Sequence, residues 1–156
     1  MLGIIMCPPP LCAQTPTSRS KIAAPVSSKE SAELRDRARA AIKEGNLEVV
    51  GQLIEQTRNV VIPTERTAWW LIESEWLFNK KQFARSALVA MQIVILHPKS
   101  EQAGPALFWA GRCYEELGRP TKAIELYQEC TSLKSLPGDV RAAATRRLSE
   151  LKKKAP

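Results

Sequence analysis

Side chains that commonly catalyse reactions or bind metals are sparse in this chain, and their spacing suits neither task. His97 is the single histidine, and a catalytic triad or a histidine-based metal site needs partners that the sequence does not offer. Cys113 and Cys130 lie 17 residues apart, without the CxxC spacing of a zinc site. The segment "GNLEVVG" from Gly45 to Gly51 lacks the Lys-Ser/Thr ending of a phosphate-binding loop. These residues predict no enzyme, no metal centre and no cofactor.

The carboxylates and the thiols have simpler structural explanations. Glu115 and Glu116 are adjacent, so their side chains point about 100° apart around a helix, and a solvated helix face accounts for both. Cys113 and Cys130 would stand roughly 7 Å apart along the axis of a helical hairpin, which is too far for easy bridging. We therefore expect both thiols to be buried as small apolar residues.

Composition and turn chemistry indicate one helical domain. The chain has 156 residues, of which 44% are apolar and 25% charged, as in ordinary globular proteins. It has only 7 glycines, and its 11 prolines are concentrated near the start. Few turn-forming residues therefore remain to connect short strands. The formal charge of +7 permits nucleic acid, an anionic membrane or an acidic peptide as partner, and does not choose among them.

The N-terminal lead-in, residues 1–28, is rich in proline and serine, lacks periodicity and is predicted to be disordered. It has two interpretations. "LCAQTP" resembles the small-residue end of a secretory signal with Ala13 as a cleavage flank, so the segment is either a truncated signal peptide or a plain tail. Cys7 and Cys12 do not follow the small residues of a lipoprotein box. No stretch approaches the roughly 20 apolar residues of a transmembrane helix.

The repeat domain is predicted over residues 29–154 as seven helices with short connections. Apolar residues recur there at three- and four-residue steps, and each run ends at a turn signal. Gly45-Asn46 stops the first run, and Pro120 opens the sixth in a first helical turn, where its missing N–H is no loss. The predicted helices are Lys29–Glu44, Leu47–Val61, Glu65–Phe78, Phe83–Leu96, Pro105–Leu117, Thr121–Leu133 and Val140–Lys153.

An internal repeat underlies these helices. Leu34, Trp70 and Leu107 are spaced by 36 and 37 residues, and matching positions downstream hold matching residue types, as expected of stacked structural units. We call Leu34, Trp70 and Leu107 the register anchors. A small residue stands four positions after each anchor, and a turn residue stands eleven positions after each anchor. The equivalent triplets are Leu34/Trp70/Leu107, Ala38/Ser74/Gly111, Ala41/Leu77/Tyr114, Gly45/Lys81/Gly118, Val50/Ser86/Ala123, Ile54/Ala90/Tyr127 and Thr57/Ile93/Cys130.

The pattern resembles the tetratricopeptide (TPR) repeat, which reads W-x2-L-G-x2-Y, then A-x3-F, then P, with a period of about 34 residues. The best unit is "LFWAGRCYEELGRPTKAIELYQEC", in which Tyr114, Ala123 and Tyr127 take the Tyr, Ala and Phe positions. The resemblance covers about residues 31 to 151. It implies an all-α, right-handed α-α superhelix of about three TPR-like hairpins, with the seventh helix as a C-terminal cap. The alternative is an unrelated helical bundle.

The linkers between the repeats resemble a narrower subgroup. An extended "PKS" linker precedes a helix that begins with small residues, and "LPGD" repeats this arrangement before the last helix. Both are similar to the bacterial cell-envelope subgroup, of the Tol-Pal-associated periplasmic or outer-membrane assembly lipoprotein type. The coiled-coil region of the Tol-Pal type and a lipoprotein box are missing here. The resemblance implies a periplasmic or secreted location, with the cytoplasm as the alternative.

In this family the first helix of each hairpin lines a concave groove, and outward positions follow from the register. The resemblance therefore implies a non-catalytic protein–protein interaction scaffold. Its favoured ligand is a peptide or protein segment with apolar anchors and acidic residues. The other interpretation is that Phe78 and Phe108 simply pack on a neighbouring hairpin. The predicted groove residues are Arg35, Arg39, Leu71, Glu75, Phe78, Phe108 and Arg112.

Two further functions stay open. The last helix carries Arg146, Arg147, Lys152 and Lys153, which suit either the solvated face of a cap or a patch for nucleic acid or anionic lipid. Nucleic acid is disfavoured because no aromatic residue lies among these cations. The third possibility is a structural module that self-associates by stacking end to end.

Overall fold

The computed structural model describes residues 27–59 and 61–154, and the described chain is built from α-helices, as predicted. A short 3-10 turn, Pro63–Glu65, precedes the third helix. The prediction of a disordered lead-in over residues 1–28 lies outside the described residues, apart from its last two. The helices are α1 Ser28–Lys43, α2 Leu47–Thr57, α3 Arg66–Asn79, α4 Phe83–Leu96, α5 Ala103–Glu116, α6 Pro120–Ser132 and α7 Gly138–Lys154.

The helices pack as three successive hairpins, α1–α2, α3–α4 and α5–α6, and α7 packs on α5 and α6. This confirms the all-α helical-repeat superhelix. We call α1, α3, α5 and α7 the first-helix layer, and α2, α4 and α6 the second-helix layer. Neighbours within the first-helix layer touch one another. No helix in residues 27–59 or 61–154 is both long and apolar enough to cross a membrane.

The predicted helix boundaries hold to within a few residues, except at the end of α2. We predicted that α2 extends to Val61, but it ends at Thr57. The Thr57 hydroxyl donates to the backbone oxygens of Leu53 at 2.8 Å and Ile54 at 3.2 Å. The same type of bond occurs within α7, at Thr145, so it does not end the helix. The early end follows from Pro63, because the residue before a proline avoids the helical region and Ile62 is extended.

The three hairpin turns share one backbone geometry. Gly45, Lys81 and Gly118 have φ of 76°, 59° and 69°, and they are the triplet predicted to lie in the turns. In each turn the next residue's N–H reaches back to the carbonyl of the Ala41/Leu77/Tyr114 triplet, at 2.8, 2.9 and 2.9 Å. This is the Schellman arrangement, in which a left-handed residue ends a helix and satisfies its last carbonyls. The repeat register is therefore present in the backbone itself.

The core forms where small residues let helices approach closely. Ala38 and Ser74 are fully buried, as are Val50, Ser86 and Ala123 on the facing helices. A Cβ added to Gly111 would lie 2.7 Å from Cε1 of Tyr127, so the ring of the large residue occupies the space that the glycine leaves. The small residues predicted at Ala38, Ser74 and Gly111 are thus buried in the core.

Two apolar clusters make up the core, and α3 belongs to both. The smaller cluster joins α1, α2 and the Trp69 and Ile72 side of α3, whereas the larger one joins α3 to α7. Tryptophan hydrogen bonds reinforce the smaller cluster. Trp69 Nε1 donates to the buried Ser31 hydroxyl at 3.0 Å, and Trp76 Nε1 donates to the Leu47 carbonyl at 2.7 Å.

A buried polar seam ties α3, α4 and α5 together. The Ser86 hydroxyl donates to the Ser74 carbonyl at 2.7 Å, and the Cys113 thiol donates to the Ser86 hydroxyl at 3.0 Å. The Ser74 hydroxyl in turn lies 3.2 Å from the Ser86 carbonyl. Because each buried polar group has a hydrogen-bond partner, its burial costs little free energy. The bonds also fix how far the three helices are shifted along their axes relative to one another.

The cap helix α7 is attached through a guanidinium group. Arg141 donates to the carbonyl oxygens of Thr131 at 2.6 Å and Leu133 at 2.5 Å, at the C-terminal end of α6. These carbonyls have no partner within their own helix, and a cation is favoured at the negative end of the helix dipole. The predicted capping role of the last helix is thus supported by specific contacts.

Candidate interaction groove

The outward face of the first-helix layer is the candidate site, and its α1 end is positively charged. Arg35 forms an ion pair with Glu65 and is mostly buried, whereas 46% of the Arg39 side chain is exposed and its contact with Asp36 is 3.5 Å long. Burial and the nearby Arg39 lower the pKa of Arg35. Arg35 therefore braces α1 against the start of α3, and Arg39 is the cation available to a ligand.

Glu75 of α3 faces the cations of α1. Burial raises the pKa of Glu75, and the charges of Arg39 and Lys43 act in the opposite direction. The two nearby cations favour the charged carboxylate and so oppose the effect of burial. The structure thus brings Arg39 and Glu75 together, as their shared register position implied.

A cleft of about 360 Å³ opens at this end of the layer. It is bounded by Arg35 and Arg39 on α1, by the start of α3 and by the segment that leads into α5. Both helix starts present backbone N–H groups, which favour negative charge. The remaining lining residues are Thr64, Glu65, Thr67, Ala68, Ser100, Glu101 and Gln102.

An aromatic cluster occupies the middle of the layer. Phe78 lies edge-on to Phe83 and packs against Trp109, with ring centroids 5.3 and 5.2 Å apart, and the Arg112 guanidinium lies 5.0 Å above the Phe78 ring. Phe108 contacts Trp109 at 5.8 Å. These side chains are half-buried, so the rings pack on neighbouring helices and also keep an exposed part. Phe78 therefore packs on the third hairpin through Trp109, and a role of either phenylalanine in ligand binding stays a prediction.

One predicted groove residue is placed differently. Leu71 is only 9% exposed and belongs to the larger core cluster together with Leu107, so the prediction that it lines the groove is wrong. Neighbouring helices of that cluster cover this position of α3. Trp109 was not predicted to belong to the site. The sequence did offer a signal, because only the third unit has an aromatic residue two positions after its register anchor.

The α7 end of the layer is closed by an ion-paired network. The Glu115 carboxylate accepts two hydrogen bonds from the Arg147 guanidinium and one from the Tyr127 hydroxyl. Burial, followed by the Glu115 interaction, raises the pKa of Tyr127, and the bond to Glu115 raises the pKa of Arg147. Arg147 also pairs with Glu150 at 2.9 Å. It therefore joins α7 to α5 and is not part of a free basic face.

The thiols do not form a reactive site. Cys113 and Cys130 are both free and buried, which confirms that they act as packing residues. Burial raises the pKa of both thiols, to about 11 for Cys130, which opposes the thiolate form that reacts. Within residues 27–59 and 61–154, no three His, Cys, Asp or Glu side chains are grouped so as to hold a metal ion.

Comparison with known proteins identifies the repeat. Residues 104–135, which contain most of α5 and all of α6, match the family described as Tetratricopeptide repeat. A chain in the crystal structure of a T3SS complex from Aeromonas hydrophila superposes with a TM-score of 0.66 at 15% identity, covering 83% of this chain and 85% of that chain. At this identity the likeness concerns the fold alone. No curated protein matches the sequence, and the resemblance to the cell-envelope subgroup stays a prediction.

Proposed function

We propose that this protein is a non-catalytic interaction scaffold that binds a peptide or protein segment along the outward face of its first-helix layer. The observation that carries this function is the arrangement of that face. A cleft at the α1 end presents the partly exposed Arg39, and half-buried aromatic rings lie on α3 and α5 of the same layer. Tetratricopeptide repeats generally bind proteins and are generally non-catalytic, which supports this proposal.

The chemistry of the face specifies the ligand. Arg39 and Arg112 favour acidic side chains or a terminal carboxylate, and the exposed parts of Phe78, Phe108 and Trp109 favour apolar anchors. The Arg112 guanidinium already lies 5.0 Å from the Phe78 ring, so less side-chain freedom is lost when its N–H groups meet an acceptor. The ligand is thus a segment that combines acidic and apolar residues.

We further propose a periplasmic or secreted location. The supporting observations are the "LCAQTP" segment and the linkers that resemble the cell-envelope subgroup. Cell fractionation with N-terminal sequencing tests this location. A mature chain that begins near Ala13–Thr15 supports export, and an intact Met1 in the cytoplasmic fraction contradicts it.

The binding function can be tested with peptides selected from a random display library against the full-length protein. For the tightest binder, Arg39→Glu and Arg112→Glu should each weaken binding by about tenfold or more in fluorescence anisotropy, because each reverses a charge that faces the ligand. Arg146→Glu is the matched control. This residue is 74% exposed on α7, away from the proposed ligand contacts on α1, α3 and α5, and should change the affinity less than about twofold.

The same variants separate the groove from the basic-helix alternative. If Arg146→Glu weakens binding while Arg39→Glu and Arg112→Glu do not, the ligand uses α7 and the groove function is wrong. A nucleic-acid or lipid adaptor would also lose affinity steeply as salt rises. The groove is favoured because Arg147 is already held by Glu115 and Glu150, which leaves α7 with fewer free cations than its sequence indicates.

A further inference from the structure

The outward face of α4 is unusually apolar. Leu88, Ile95 and Leu96 are 64%, 68% and 60% exposed, and together with Leu117 they are the four exposed large hydrophobic residues of the described chain. Leu117 and Leu88 line one cleft of about 360 Å³, between α4 and the turn that follows α5. We call these four residues the α4 patch. Contiguous apolar surface of this kind marks an interaction site more often than single exposed residues do.

The repeat shows that the fold does not require these apolar residues. The register positions of Leu88 and Ile95 are filled by polar residues in the other two hairpins, and these residues are exposed. The same surface therefore tolerates polar side chains twice and is apolar once. The equivalents are Gln52 and Asn59 on α2, and Glu125 and Ser132 on α6.

Charge distinguishes the middle hairpin at the same place. Residues 79–100, which contain α4 and its flanking turns, carry four Lys or Arg residues and no Asp or Glu. The equivalent ranges 43–64 and 116–137 carry three Glu residues each, against two and three cations. The apolar patch thus lies in the one segment of the three that has a strong positive charge. Its cations are Lys80, Lys81, Arg85 and Lys99, and the carboxylates of the other two ranges are Glu44, Glu48, Glu55, Glu116, Glu125 and Glu129.

Exposed cations lie next to the patch. Arg85 precedes Leu88 by three residues and therefore shares its helix face, and Arg119 lines the same cleft as Leu88. Lys99 follows Leu96 by three residues. These three cations are exposed, and none of them forms an ion pair with a carboxylate in residues 27–59 or 61–154.

The carboxylates nearest in sequence do not neutralise this surface. Glu101 lines the cleft at the α1 end of the first-helix layer, and Glu125 pairs with Lys122 at 2.8 Å. Glu116 is exposed beside Leu117, but one carboxylate does not cancel three neighbouring cations. The surroundings of the patch therefore attract an anionic partner.

The exposure of the patch indicates which anionic partner fits. A second copy of this chain would bring like charges together. A protein ligand typically buries its anchors in pockets, but Ile95 and Leu96 are more than half exposed and do not line the cleft. A bilayer surface needs no matching pocket, because it accepts protruding apolar side chains and attracts the cations around them.

We propose that the α4 patch binds the surface of an anionic lipid bilayer, with α4 lying in the plane of the membrane. Leu88, Ile95 and Leu96 enter the boundary between headgroups and acyl chains, and the neighbouring cations contact lipid phosphates. α4 packs on α3 and α5, so its exposed face points away from the first-helix layer. Membrane binding therefore does not depend on the proposed groove function.

Sedimentation of the full-length protein with lipid vesicles tests the apolar contact. Wild type should bind vesicles of equal parts phosphatidylglycerol and phosphatidylcholine at least tenfold more strongly than vesicles of phosphatidylcholine alone. Leu88→Ser/Ile95→Ser should weaken the binding about tenfold or more, because it removes two side chains that insert. Circular dichroism checks that the variant keeps its helix content. Residues 1–26 are the same in both proteins, so the difference reports the patch.

A second pair of variants tests the cations. Arg85→Gln/Lys99→Gln should weaken binding to the phosphatidylglycerol vesicles about tenfold or more, since each cation near an anionic surface contributes roughly fivefold to the affinity. Lys152→Gln/Lys153→Gln is the matched control. It removes the same charge from α7, where both lysines are exposed, and should change the affinity less than about twofold.

A fluorescent label tests the orientation. With the two cysteines of residues 1–26 replaced by serine, Gln92→Cys places an environment-sensitive label in the middle of the patch. Its emission should shift to shorter wavelength when phosphatidylglycerol vesicles are added. Gln56→Cys is the matched control, because Gln56 is exposed at the same register position of α2 and its label should stay in water. The native Cys113 and Cys130 are buried and should not be labelled.

Four results would overturn the membrane contact. They are no binding to phosphatidylglycerol vesicles, binding that Leu88→Ser/Ile95→Ser does not weaken, an equal loss in Lys152→Gln/Lys153→Gln, and an emission shift at position 56 but not at position 92. If the protein ignores vesicles but self-associates in analytical ultracentrifugation, and Leu88→Ser/Ile95→Ser prevents this, the patch is a protein contact instead.

Discussion

At the scale of single residues, Gly111 and Tyr127 show how one position depends on another. The glycine is buried on α5, and the Tyr127 ring fills the space beside it so closely that even a methyl group has no room. The tyrosine hydroxyl then reaches the edge of the first-helix layer and bonds to Glu115. A core contact thus also positions a carboxylate of the candidate site.

Gly111→Ala should lower the free energy of unfolding by about 1–3 kcal/mol, although alanine favours helices by about 1 kcal/mol, because the ring must move. Urea denaturation measures the change. The double variant Gly111→Ala/Tyr127→Leu should recover part of the loss that the added methyl group causes beside Tyr127. If Gly111→Ala is as stable as wild type, the close approach does not constrain α5 and α6.

Residue types predicted the core better than they predicted the site. Ala38, Ser74 and Gly111 had to be small wherever the hairpins stacked, so the repeat pattern alone identified them. Leu71 and Arg147 were misplaced because periodicity shows which positions share a helix face, but not which of them a neighbouring helix covers or pairs with. Continuing the 37-residue step from Leu107 would have placed Ala144 at the next anchor and turned Arg147 toward α5.

At the scale of elements, the turns determine how each hairpin closes. Two of the three turns have glycine at the left-handed position, and the middle turn has Lys81 with φ of 59°. Side chains with a Cβ pay roughly 1–2 kcal/mol for this conformation. The middle hairpin therefore carries local strain that the other two avoid, although its core is well packed.

Lys81→Gly should raise the free energy of unfolding by about 0.5–1 kcal/mol, since relief of the strain exceeds the extra entropy of glycine in the unfolded chain. Thermal and urea unfolding should both report the gain. The reverse change at the equivalent position, Gly118→Lys, should destabilise by about 1 kcal/mol. A loss of stability in Lys81→Gly would mean that contacts of the lysine side chain outweigh the strain.

Helix starts and stops were predictable where a residue forces them, as with the turn glycines and Pro120. The early end of α2 was not predicted to the residue. Pro63 requires an extended Ile62, but it does not specify how many residues before it the helix ends. Sequence periodicity detects which residues face the core, and it does not locate a helix end that lies several residues before its cause.

At the scale of the whole molecule, the two core clusters divide the chain unequally. α1 and α2 rest on one side of α3, mainly through Trp69 and Ile72, whereas α4 to α7 share the larger cluster. In repeat proteins each unit is stabilised mainly by its neighbours, so a terminal unit has one interface instead of two. The first hairpin should therefore open more readily than the rest.

Trp69→Phe should accelerate hydrogen exchange in α1 and α2 while leaving α5 and α6 unchanged. The variant removes the bond to Ser31 and leaves a small void in the cluster that holds the first hairpin, at a cost of about 1–3 kcal/mol. Mass spectrometry of peptides from each helix measures the effect. Trp109→Phe, in the aromatic cluster, is the control and should not alter α1 or α2. Faster exchange in all helices would instead indicate a single cooperative unit.

The buried thiols of the third hairpin have a consequence for redox chemistry. Only a thiolate attacks a disulfide, and it must first reach it. Cys113 and Cys130 are kept protonated by their raised pKa and are covered by α4 to α7. In an oxidising compartment the folded hairpin would exclude both sulfurs from thiol–disulfide exchange. A single opening of α5 and α6 would expose them to capture as mixed disulfides, which would convert a transient unfolding event into a lasting chemical modification.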